Sequence, residues 1–138
     1  VSACLGKAIM QGKIKSLDQK VSDFFPEFKT GTSAQMTVGD LSSMASGLNW
    51  DESYYSPFSI TTRAYFDDNL TAVILGLKGV EQPGKSYKYL SGNTQLLAMC
   101  IEKAVGKSLA NYVSESFWKP MGAESDAFLF IYSEDGVV

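Results

Sequence analysis

The chain has 138 residues, 45% of them apolar and 20% charged, with a formal net charge of −3 and no histidine. That length supports one domain with a real core; the absence of a basic cluster gives no footprint for nucleic acid, and the longest apolar run, residues 72–77, is far too short to span a membrane. Without histidine, neither a Ser-His-Asp nor a Cys-His catalytic group nor a histidine-bearing zinc site can be assembled, so acid–base chemistry falls to Tyr, Lys, Asp or Glu.

Val1, Leu5, Ala8 and Ile9 fall on one face of a helix that Gly12 ends. No capping residue precedes Val1, so the chain is expected to enter in mid-helix, as a fragment. Ser-Leu-Asp-Gln at 16–19 has the form of a capping box and predicts a short helix carrying Leu17 and Val21 to a stop at Phe25-Pro26. Residues 29–35 read as a polar linker. Thr-Val-Gly-Asp at 37–40 opens a second capped helix, with Val38, Leu41 and Met44 on one face and Gly47 as its stop.

From 49 to 69 the pattern turns irregular and aromatic, through Trp50, Tyr54, Tyr55, Phe58, Tyr65 and Phe66. A long stretch of this kind inside a domain is expected to be a binding loop. Within it Asp51 and Glu52 read as a solvated turn, Arg63 as a surface ion-pair former, and Asp67 and Asp68 as the cap of a short buried helix over 70–77. Pro83-Gly84 marks a turn.

An extended approach at 87–90 then leads into a helix reaching Val105. Leu97, Cys100, Ile101, Ala104 and Val105 share its apolar face, Glu102 and Lys103 point away, and Gly106 supplies a left-handed stop. Tyr89, Ser91 and Asn93 stand at its mouth. Ser108 caps a last helix with Leu109, Tyr112, Val113 and Phe117 inward, closed by Pro120 and Gly122. Residues 127–132 are β-prone and Asp135-Gly136 is a hairpin turn signal. Periodicity alone thus gives a mainly α chain with a short terminal β-hairpin that breaks off in its returning strand. Cys4 and Cys100 both fall on apolar helix faces, where free buried thiols are favoured over a disulfide.

The order of segments carries a resemblance. Residues 5–28, then Met-Thr-Val-Gly-Asp-Leu-Ser-Ser-Met-Ala-Ser-Gly-Leu at 36–48, Tyr89 to Leu97, Glu102 to Gly106, Ser108, Tyr112 and Trp-Lys-Pro-Met-Gly-Ala at 118–123 are similar, in this order, to the serine β-lactamase and penicillin-binding-protein superfamily. The branch resembled is that of class C β-lactamases, related esterases and 6-aminohexanoate-dimer hydrolases. It implies that the chain, over 1–138, is the helical-subdomain part of a β-lactamase/transpeptidase-like α+β fold, in which helices flank an antiparallel sheet. It also implies an acyl-serine mechanism with three motifs: Ser-x-x-Lys, Tyr-x-Asn or Tyr-x-Ser, and a late Lys-Thr-Gly-type strand. A phenol ionises near about 10 and becomes a useful base beside a cation.

On this resemblance Tyr89 falls at the catalytic tyrosine, and Ser91 falls where many relatives carry Asn, a departure similar to the amide-hydrolase branch. A competing register would read Ser91-Gly92-Asn93 as the Ser-Asp-Asn motif of class A enzymes; its central Gly and the flanking match favour Tyr89, leaving Asn93 as a helix-start residue. Trp50 and Tyr54, with Tyr55 and Phe58, are expected to wall the substrate cleft alongside Ser91. Lys29-Thr30-Gly31 and the Ser-x-x-Lys at 116–119 are out of family order and are treated as decoys. The true Ser-x-x-Lys is expected within about two helical turns before Val1, so this chain by itself should be inert.

The implied substrate is a small-molecule amide, ester or β-lactam, and the further partner is the rest of its own chain. No cofactor and no metal are expected. A cell-wall D-Ala-D-Ala carboxypeptidase or transpeptidase and a non-catalytic binding domain of the same fold stand as alternatives. Location is open, with a bacterial periplasmic or secreted one favoured over the cytoplasm.

Overall fold

A computed structural model describes residues 1–66 and 69–129. Its helices are α1 (Ser2–Met10), α2 (Val38–Ser42), α3 (Ile60–Phe66), α4 (Leu70–Leu75), α5 (Ser91–Val105) and α6 (Leu109–Val113). Short 3₁₀ turns at Val21–Asp23, Pro26–Phe28 and Thr32–Gln35 link α1 to α2, and one π turn, Ser114–Trp118, continues α6. Among the described residues there is no strand, only two isolated antiparallel bridges, Lys20 with Thr37 and Leu48 with Gly79. No described helix is long and apolar enough to cross a membrane.

Helix α5 is the centre of the packing, touching α1, α2, α4 and α6. The sequence predicts one apolar face for it, but Leu96, Leu97, Ala98, Met99, Cys100 and Ile101 are buried in succession. A helix with neighbours on several sides loses its solvent face, and apolar residues then run around the whole cylinder. Gly106 ends it in the left-handed conformation, φ 73°, as predicted. Glu102 is not free: its carboxylate accepts the Leu109 amide at 2.7 Å, at the start of α6. Burial raises the Glu102 carboxyl above its ordinary value and that amide partly offsets the rise. Lys103 lies over the Phe25 ring at 4.6 Å, a cation–π contact. Both cysteines are free and buried. Burial pushes the Cys100 thiol up to about 12, so it stays protonated at neutral pH.

Local signals succeed where their hydrogen bonds stay local. Thr37 and Asp40 form the predicted capping box of α2, and Ser108 caps α6 through the Asn111 amide. The box expected at 16–19 does not open a helix. Gln19 Oε1 accepts the Lys15 amide at 2.7 Å, and the carbonyls of Leu17 and Gln19 accept Gly39 and Val38 amides from the α2 segment. That cross-chain pairing takes the backbone groups a helix would have used, and Leu17 ends up exposed.

Further differences follow the same pattern. The predicted linker at 29–35 contains the Thr32–Gln35 turn. Helix α2 stops at Ser42, short of Gly47, because Met44 takes a left-handed φ of 58° and turns the chain out of the helix. The segment expected to be irregular contains α3, with the Ser59 hydroxyl accepting the Thr62 amide at 3.1 Å. Asn69 caps α4 through the Ala72 amide at 2.8 Å; Asp67 and Asp68, expected to do so, lie outside the described residues. Of the expected terminal hairpin, residues 127–129 show no regular structure and the remainder, 130–138, lies outside the described residues.

Candidate active site

The three residues around Tyr89 are fixed from both sides. Upstream, the Lys88 amide donates to the Met44 carbonyl at 2.8 Å. That carbonyl belongs to the left-handed residue leaving α2, a conformation costly for a side chain with a Cβ. Downstream, Leu90 is buried and the Ser91 amide donates to Glu52 Oε1. Between these anchors the Tyr89 side chain stays 58% exposed.

Helix α5 receives no cap from its own preceding residue, Leu90. Its N-terminus is instead capped by Glu52, 39 residues earlier. Besides the Ser91 amide, Glu52 accepts the Ser91 hydroxyl at 3.1 Å and the Tyr54 hydroxyl at 3.2 Å, both on Oε2. A carboxylate at a helix N-terminus meets unpaired amides and the positive end of the helix dipole together. Glu52 is therefore structural glue and not the solvated turn residue that its sequence neighbourhood predicts. Partial desolvation, then the Glu52 carboxylate, raise the Tyr54 phenol above its ordinary value, so at neutral pH it is a hydrogen-bond donor.

A second link ties the same helix to the exit of α2. Ser46 Oγ donates to Asn93 Oδ1 at 2.6 Å, and Asn93 Nδ2 reaches Met44 Sδ at 3.6 Å, with Ser46 and Asn93 both fully enclosed. Buried polar groups of this kind persist only when paired. Trp50 closes the arrangement: it is buried, and its ring lies so near Gly92 that a Cβ there would stand 2.5 Å from Trp50 Cε3. Only glycine lets α5 and the loop approach so closely.

Beside these contacts opens a cleft of about 170 Å³, walled by Trp50 and Tyr54 from the loop, Ala64 and Tyr65 from α3, Leu70 from α4 and Ser91 from α5. A volume of this order holds one ring-sized group. The structure thus brings together three of the sequence-derived site residues, Trp50, Tyr54 and Ser91. Tyr89 is not among the lining residues of that cleft; it stands two residues from Ser91 on the extended approach. Tyr55 and Phe58 are exposed and do not line it, and Arg63 is exposed on α3. Among the described residues no cluster of His, Cys, Asp or Glu could hold a metal ion.

Residues 1–129 match the family model "Beta-lactamase". The chain is a member of the β-lactamase family. Among curated relatives, Protein flp of Staphylococcus aureus is 26% identical over 125 residues, covering 88% of this chain and 24% of that protein. The octameric penicillin-binding protein homologue of Pyrococcus abyssi has the same fold at TM-score 0.71 and 24% identity, with 91% of this chain and 30% of that one covered. A family VIII carboxylesterase follows at TM-score 0.68 and 23% identity, covering 88% and 32%. The chain therefore spans about a quarter of the curated relatives it matches and about a third of these structures.

Sequence reasoning missed Glu52, Gly92 and the Ser46–Asn93 pair as the parts that hold this β-lactamase-family region together. Glu52 had a signal available: an acid in an aromatic loop, opposite a helix whose preceding residue, Leu90, cannot cap.

Proposed function

We propose that this chain is part of a serine hydrolase that cleaves an amide, ester or β-lactam bond through an acyl-serine intermediate, with Tyr89 as its acid–base group. The observation that carries this reading is the family match over 1–129 together with Tyr89 held, phenol exposed, at the mouth of α5. The phenol would take the proton of an attacking serine and return it to the leaving group, which needs a neighbouring cation to favour the phenolate. Trp50, Tyr54 and Ser91 would receive the substrate. The single Ser-x-x-Lys in the chain, at 116–119, sits in the π turn after α6, so the nucleophile and its lysine are assigned to residues beyond 1–138.

Ester turnover by the full-length protein tests this. Tyr89→Phe is expected to lower kcat by roughly 10²–10⁴-fold, the usual worth of a general acid–base, and residues 1–138 alone are expected to show none. A loss under about threefold in Tyr89→Phe would move the role elsewhere, and turnover by 1–138 alone would overturn the assignment of the nucleophile.

A further inference from the structure

Glu52 occupies an unusual place for a loop carboxylate. Its two oxygens serve the Ser91 amide, the Ser91 hydroxyl and the Tyr54 hydroxyl. Two of those donors belong to the first residue of α5 and the third to the wall of the cleft. Tyr89 lies one residue before Leu90, whose buried side chain leaves little freedom between the Ser91 amide and the Tyr89 backbone. The other anchor of Tyr89, the Lys88 amide on the Met44 carbonyl, fixes only the upstream end of this short extended piece. With the backbone held at both Lys88 and Ser91, the Cα–Cβ bond of Tyr89 leaves the segment in one direction, and the phenol samples only the rotamers open from it.

We infer that Glu52 is a positioning residue: it sets the direction of the Tyr89 phenol and, through Tyr54, locks the cleft wall to the same point. This rests on the reading of Tyr89 as the acid–base group. Two observations and the chemistry of a carboxylate support it. Leu90 offers no side-chain cap, so α5 depends on a remote acceptor. Gly92 lacks a Cβ where Trp50, two residues before Glu52, must pack for the carboxylate to reach Ser91. A carboxylate alone can accept from an amide and two hydroxyls at once; an amide side chain keeps one acceptor oxygen and turns its NH₂ toward the remaining groups. Beyond capping α5, this role acts on the chemical step through one named side chain, Tyr89.

The test uses the full-length protein in four forms: unaltered, Glu52→Gln, Tyr89→Phe and the double variant, with kcat and KM for a nitrophenyl ester and the thermal midpoint of each. Misplacing an acid–base group by about 1 Å costs on the order of 10²-fold, so Glu52→Gln is expected to lower kcat by roughly 10–10²-fold with a much smaller change in KM. Once Tyr89 is Phe there is no phenol left to misplace, and the double variant should match Tyr89→Phe within about twofold in kcat, taking two as the scatter of non-interacting sites.

An unchanged kcat in Glu52→Gln, beside a large fall in Tyr89→Phe, overturns the inference and leaves the function standing. A fall in Glu52→Gln that recurs in full on the Tyr89→Phe background assigns Glu52 to the scaffold and also overturns it. An unaffected Tyr89→Phe overturns the functional reading itself, and the positioning role with it. If Glu52→Gln does not fold, Glu52→Asp keeps the charge but draws it back from Ser91, and takes the same cycle with the same two overturning results.

Discussion

Two helix N-termini in this molecule are held by carboxylates in opposite ways. At α2 the acid is local: Asp40 Oδ2 accepts the Thr37 amide at 2.9 Å and the Thr37 hydroxyl at 2.8 Å, while the Asp40 amide returns to Thr37 Oγ1 at 3.0 Å. At α5 the acid comes from another segment, and Glu52 spans 39 residues to reach Ser91. Both satisfy amides that a helix cannot pair internally. The consequences differ. The Thr37–Asp40 box closes within four residues, while the Val38 and Gly39 amides beside it pair with Gln19 and Leu17. A remote acid couples the order of two segments, here the aromatic loop and the motif that bears Tyr89. The β-lactamase-family region thus has a carboxylate from within the first turn on its supporting helix and a carboxylate from the aromatic loop at its candidate site.

The sharpest way to break this contrast is Gly92→Ala. The added Cβ would stand 2.5 Å from the Trp50 ring, so the loop must retreat from α5 and take Glu52 with it. Overpacking of this kind costs roughly 1–3 kcal/mol. Urea unfolding of the full-length protein should show that loss, and amide exchange should quicken across 50–59 while residues 38–42 keep their protection. An unshifted urea midpoint would mean that the close approach does not matter. Next in size is Thr37→Ala, which removes a single cap worth about 1 kcal/mol. Here the pattern reverses: exchange quickens in α2 and stays unchanged in the loop. If the loop loosens as well, the α2 cap is not self-contained and the comparison fails.

The same contrast explains which parts were legible in the sequence. Thr37 with Asp40, Ser108 before α6 and Gly106 after α5 were readable because partner and target lie within four residues, where spacing alone fixes geometry. The family was readable for a related reason, since its motifs are short runs in a fixed order. Glu52 was read as a solvated turn because its donors, Ser91 and Tyr54, become neighbours only after folding. Ser16 to Gln19 failed in the opposite sense: a valid local signal lost to pairing with the segment at 36–39. Of the site, Trp50, Tyr54 and Ser91 were named from sequence and do converge on one cleft, whereas the position of Tyr89 outside that cleft is a fact of the fold.

The smallest predicted effect comes from pH, and it too separates the two caps. The Tyr54 phenol is held above its ordinary value, first by partial desolvation and then by the Glu52 carboxylate it bonds to; the Tyr65 phenol, 6.5 Å away ring to ring, adds to the rise. A group whose folded value is raised contributes stability that is complete below its unfolded value and is lost as pH climbs through the folded one. The unfolded value for tyrosine is about 10, so the contribution is intact at neutral pH and disappears only above that point. There the phenolate would face Glu52 as a like charge, and a donor would become a repelling acceptor. The α2 cap contains no phenol; it joins the Thr37 hydroxyl to the Asp40 carboxylate and amide. Amide exchange and Trp50 fluorescence followed from pH 8 upward should therefore report loosening of the loop beginning above about 10, with α2 unaffected. Tyr54→Phe should remove the loop's pH response while leaving its neutral-pH order little changed, because the Ser91 amide and hydroxyl still hold Glu52. A response that survives in Tyr54→Phe would assign it to another group, and the coupling through Tyr54 would then be absent from the remote cap.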